Sequence, residues 1–196
     1  MRLPAALLAP LAAAGLVLAG CQSPPPEPTF PEIGFAHEQT LRLDVGSIQV
    51  VDDYRPTLEP PYVDHLFPQP PDKVAERWAK ERLLALGGPR RAVVTITDAS
   101  VKEVQLPRTG GIKGAFTTDQ TQRYDARVAA TVAIFEPDGR RSGYAEAEAT
   151  RSTTVSEDAT LAQREQIWFQ MTEQLMDDFD AEMTRQIKGS LGSYLK

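Results

Sequence analysis

The chain has 196 residues, 27 acidic against 21 basic side chains, a formal charge of −6 and 41% hydrophobic residues. An acidic balance with no basic run excludes the usual nucleic-acid binders and argues against electrostatic docking on an anionic membrane. One cysteine leaves no intrachain disulfide, so the fold must rest on packing alone.

Residues 1–20 read as a cleaved secretory signal. Arg2 supplies a basic start, Leu3 to Ala19 is an uncharged run interrupted by Pro4 and Pro10, and the small residues Ala19 and Gly20 stand before Cys21. The stretch Leu18-Ala19-Gly20-Cys21 resembles the lipobox of bacterial lipoproteins. The resemblance implies cleavage between Gly20 and Cys21, a diacylglycerol on the Cys21 sulfur and acylation of the new amino group. Gln22, not aspartate, follows the cysteine; under the sorting rule of enteric lipoproteins this implies an outer-membrane address facing the periplasm. Each buried methylene contributes about 0.8 kcal/mol, so several chains anchor far more firmly than one.

Residues 21–40 form a proline-rich tether with Pro24, Pro25, Pro26, Pro28 and Pro31. Polyproline II extension would hold a domain roughly 50–60 Å from the lipid, with Phe30 and Phe35 available to dock the tether's end. Residues 41–196 are expected to be one domain. Its first strand spans Leu41 to Asp52, with a bulge at Gly46.

A second proline cluster encloses Tyr62-Val63-Asp64-His65-Leu66-Phe67, an unusually apolar loop. Packing on the core is the stronger reading of it. The other is a partner patch made of Tyr62, Val63, Leu66 and Phe67.

Asp72 is placed to cap a helix from Lys73 to Leu86, with Val74, Trp78 and Ala85 on one face and Gly87-Gly88-Pro89 as its stop. Ala92 to Leu106 reads as a strand whose alternation slips near Asp98–Ser100. Pro107 to Gln122 is a loop containing Gly110, Gly111 and Gly114, but without phosphate-loop or dinucleotide spacing. Tyr124 to Ile134 alternates cleanly, Pro137-Asp138-Gly139 turns it, and Gly143 to Val155 returns with Ala145, Ala147 and Ala149 inward. A final helix from about Asp158 to Lys188, capped by Ser156 or Asp158, carries Leu161, Trp168, Met171, Leu175, Phe179, Met183 and Ile187 at helical spacing. Its length of roughly 45 Å predicts that one end projects.

No catalytic constellation emerges. The histidines His37 and His65 lie in the tether and a loop, no G-x-S-x-G elbow or Cys/His metal spacing occurs, and an acylated Cys21 is no nucleophile. Glu173, Asp177 and Asp180 share a helical face; a solvated face explains them better than a cation site. No cofactor, metal or nucleic acid is expected, and the chain is taken as non-enzymatic.

The element order resembles the plug lipoprotein of the lipopolysaccharide-transport barrel and the auxiliary lipoproteins of ABC-type lipid transport. Both imply an α+β, two-layer fold, with two amphipathic helices on one face of a mostly antiparallel sheet of about four strands. The pattern of strands and helices without βαβ repetition agrees. Val63-Asp64-His65-Leu66-Phe67-Pro68, Trp78-Ala79, Thr97-Asp98-Ala99-Ser100-Val101 and Trp168 to Met176 are also similar to an alphaproteobacterial lipoprotein family, a likeness that implies no activity. The leading expectation is an adaptor in outer-membrane assembly or transport, joined to the membrane through Cys21 and to an envelope protein partner. The alternative is a periplasmic module that binds a lipid or amphiphile; a hydrolase comes third.

Overall fold

The structure, a computed structural model, describes residues 29–107 and 120–196. The signal, Cys21 and most of the glycine-rich loop lie outside these residues. In chain order the elements are β1 (Leu41–Leu43), β2 (Ser47–Asp52), α1 (Pro71–Arg82), β3 (Leu83–Ala85), β4 (Arg91–Asp98), β5 (Val101–Gln105), β6 (Gln120–Phe135), β7 (Arg141–Ser156) and α2 (Leu161–Ser190). This is an α+β fold with a mixed sheet and a long C-terminal helix.

The β6–β7 hairpin is the sheet's axis because both strands alternate without a break. Its antiparallel register sets Val132 against Ala145, Ala130 against Ala147 and Val128 against Ala149. All six side chains are buried on the helix-bearing face. Glu146 and Glu148, between the alanines, point to water. The alanines leave room for Leu175, Met176 and Phe179 of α2, each fully buried. Such interlocking of large against small side chains gives a core its density. Helix α2 runs antiparallel to β7: Arg151 bonds Gln174, while Leu191 lies over Gly143, where a Cβ would stand 2.7 Å from Leu191 Cδ2.

On the other side of β6, β4 and β5 lie end to end, both antiparallel to it. They are one interrupted strand: at the expected slip, the Ser100 N–H donates to Asp98 Oδ1 at 2.9 Å. β2 joins the outer edge of β4 in parallel.

Three expectations need correction. The anticipated single strand from Leu41 to Asp52 is two strands in different sheets: β1 pairs with β3 in a two-stranded sheet, and β2 joins the five-stranded main sheet. The division falls at Gly46, which passes so close to the chain after β3 that a Cβ would lie 2.4 Å from the Gly88 carbonyl oxygen. Helix α1 stops at Arg82, not Leu86. Leu83 turns extended (φ −109°, ψ 129°), and Leu83–Ala85 pairs in parallel with Leu41–Leu43. A tertiary partner thus overrides local helix preference. The caps also differ. Pro71 opens α1, placing Asp72 inside its first turn. Thr160 caps α2 in a reciprocal box with Gln163, leaving neither Ser156 nor Asp158 as the cap.

Phe30 packs against the core, and Ile33 and Phe35 are buried within it. The end of the expected tether, from Phe30 on, is thus docked on the domain.

Candidate functional site

The segment from Phe30 to Thr40 forms a strap along the two helices. Phe30 stacks on Phe169 of α2, with ring centroids 5.2 Å apart. Arg77 of α1 donates to the Ile33 carbonyl at 2.9 Å and to Glu32 at 3.1 Å. The Phe35 N–H donates to Glu81, and Arg82 donates to the Gln39 carbonyl. These contacts order the strap in the same direction as α1 and α2.

Arg82 is the centre of the clamp. Only 3% of it is exposed. Its Nε donates to Asp180 Oδ1 at 2.6 Å, and its Nη2 to Asp180 Oδ2 at 3.2 Å and Thr184 at 3.0 Å. Trp78 Nε1 donates to the same Asp180 Oδ1 at 2.6 Å. One carboxylate thus joins α1, α2 and, through Arg82, the strap. A charge buried to this extent is tolerated only when paired and hydrogen-bonded.

The expected solvated trio on α2 therefore divides. Asp180 is a structural anion, Glu173 is exposed, and Asp177 borders a groove of about 520 Å³ with His37, Glu38 and Lys188. Burial first, then the charge of Asp178, raises the Asp177 carboxyl above its ordinary value. Among the described residues no group of three or more histidines, cysteines or carboxylates could hold a metal ion.

At the other end of the strap lies an aromatic cluster. Phe67 stacks on Trp168 at 4.9 Å and 11°, and Tyr124 meets Trp168 edge-on at 5.4 Å. The Tyr124 hydroxyl reaches Glu103, Gln122 and Arg164. Its pKa is raised by burial and then by the Glu103 charge.

The four residues offered as a partner patch are separated by this packing. Phe67 is 4% exposed, so it is not available to a partner. Tyr62 bridges to Lys102 along the free edge of β5, and the Val63 N–H donates to the Val101 carbonyl at 2.9 Å; both are half-buried. Only Leu66, 54% exposed, projects. Beneath this loop Asp64 Oδ1 and the Tyr54 hydroxyl are buried, with no hydrogen-bond partner among the described residues. Burial, then the Asp64 charge, pushes the Tyr54 hydroxyl up. His65 is exposed, and exposed His37 lies 3.7 Å from Glu38.

Arg82 and Asp180 were the residues missed as a pair. The signal was present: Arg82 stands four residues after Trp78 on the apolar stripe of α1, where a charge demands a partner.

Comparison with protein families finds no match, and none is found among curated proteins. Among solved structures the chain is similar to a minor lipoprotein from Acinetobacter baumannii, at 16% identity and TM-score 0.40, over 75% of this chain and 93% of that one. It is also similar to a Xanthomonas campestris protein of the DUF330 family, at 10% identity and TM-score 0.31, over 77% and 88%. Likenesses of this degree carry no argument about what the chain does.

Proposed function

We propose that this chain is an envelope lipoprotein, anchored through Cys21 at the outer membrane and facing the periplasm. Its domain acts as a non-enzymatic adaptor in outer-membrane assembly or transport. The observation that carries the reading is Leu18-Ala19-Gly20-Cys21 at the end of an apolar run that begins after Arg2. The clamped strap adds a mechanical reason. A tether fixed to α1 by Arg77, Glu81 and Arg82 and to α2 by Phe30 on Phe169 gives the domain a defined position relative to its anchor.

An adaptor is preferred to an amphiphile carrier because a carrier needs room between helix and sheet. There, Val94, Val132, Ala145, Leu175, Met176 and Phe179 are packed in one buried cluster.

The test is a mild-detergent pull-down of the native acylated protein after crosslinking in cells. A stoichiometric membrane-protein partner is expected. Co-purifying lipid without such a partner overturns the adaptor in favour of the carrier, and recovery of neither overturns both.

A further inference from the structure

The strap fixes where the chain leaves the domain. From Phe30 to Gln39 it follows α2 from Phe169 towards Asp180 and Thr184. Its upstream end therefore emerges near the N-terminal end of α2. Phe169 is eight residues from the start of that helix and twenty-one from its end. At 1.5 Å per residue these are about 12 Å and about 32 Å. Cys21 and Phe30 are nine positions apart, and such a link, however it is arranged, spans at most about 32 Å. A link of that length reaches a membrane at the near end with slack. To meet one at the far end it would have to double back along the whole domain at full stretch.

The apolar surface agrees with this choice. The near end carries Leu161, 68% exposed, and a shallow groove of about 500 Å³ bordered by Ala159, Ala162 and Ile167. Leu66 is exposed beside Phe67, which stacks on Trp168 at the same end. Charge does not make the choice: Glu157 and Asp158 are exposed on the turn before α2, and Arg140 and Lys188 at the opposite end. Reach and the exposed apolar residues make it.

We propose that the N-terminal end of α2, with Leu161 at its tip, is the face of the domain that rests on the phospholipid surface of the membrane holding Cys21. This rests on the lipoprotein reading. The domain then stands with α2 pointing away from the bilayer, and the β6–β7 turn and the C-terminal end of α2 are presented outward to partners.

The test uses the full acylated protein in vesicles of phosphatidylethanolamine with a minor share of phosphatidylglycerol. With the Cys21 sulfur consumed by lipid, an introduced cysteine is the only free thiol. Leu161→Cys and Asp138→Cys, both at exposed positions, are labelled with a fluorophore and challenged with headgroup-quencher lipids. Quenching severalfold stronger at position 161 than at 138 is expected. Equal quenching, or stronger quenching at 138, overturns the orientation. The mass of the N-terminal peptide from the same sample separates the two levels: a peptide without acyl chains refutes the anchor itself, whereas an acylated peptide with the wrong quenching pattern refutes only the orientation.

Discussion

Asp180 shows how one side chain can decide a local arrangement. It accepts from Trp78 and Arg82, and Arg82 in turn holds the strap carbonyl of Gln39. Removing its charge strands a guanidinium that is 3% exposed. Asp180→Asn is therefore expected to cost about 3–5 kcal/mol, the penalty of breaking a buried pair from one side. Urea denaturation measures it, and a loss below about 1 kcal/mol would place the pair in solvent.

Asp177, one turn away, has the opposite sign. Its folded pKa is raised, so the folded state holds more protons than the unfolded chain between the ordinary carboxylate value and the raised one. Stability contributed by this site therefore falls as pH rises through that window. Asp177→Asn should raise the Tm at neutral pH, and the gain should vanish on acidification below the ordinary carboxylate range. The residue is largely exposed, so the effect is small. A gain that grew on acidification would contradict this account. Trp168→Ala should cost about 3–5 kcal/mol, because the indole is 6% exposed and sandwiched between Phe67 and Tyr124.

At the scale of elements, the strap is a part of the fold. Phe35 is 2% exposed among the core residues, so Phe35→Ala should cost about 3–5 kcal/mol. Amide exchange should find the Phe35 N–H, bonded to Glu81, protected well beyond an exposed chain. Exchange at the rate of a free peptide would restore the strap to the tether.

The β6–β7 hairpin was legible in the sequence because its alternation is local and unbroken from Tyr124 to Ile134. The apolar stripe of α2 was legible for the same reason. What escaped was decided by residues distant in the chain. Nothing near Leu83 says that it leaves the helix, since its partner Leu41 lies some forty positions earlier. Gly46 reads as a bulge until Gly88 is placed against it. Of the candidate site, the apolar composition of the loop from Tyr62 to Phe67 points to packing on the core as well as to a partner, whereas the Arg82–Asp180 clamp is invisible among three evenly spaced carboxylates until α1 is placed against Asp180. Gly46→Ala tests the first of these close approaches: the added Cβ meets backbone, so a loss of about 1–3 kcal/mol is expected in thermal unfolding.

For the whole molecule, anchor and domain are separable in stability but joined in position. No described helix is long and apolar enough to cross a membrane. The core of the described residues is built from Ile33 to Leu191. Cys21→Ser should therefore unfold at an unchanged Tm yet move from the membrane to the soluble fraction. On the proposed anchor, the short link between Cys21 and Phe30 would keep Phe30 within about 32 Å of the bilayer, well short of the 50–60 Å that a free tether to residue 40 would permit.

The most direct test of the anchor is the mass of the N-terminal peptide of the protein recovered from the membrane fraction. The account predicts a chain that begins at Cys21 and carries a thioether-linked diacylglycerol and an acylated amino group. A peptide that continues upstream through Gly20, or one that begins at Cys21 without lipid, would contradict it.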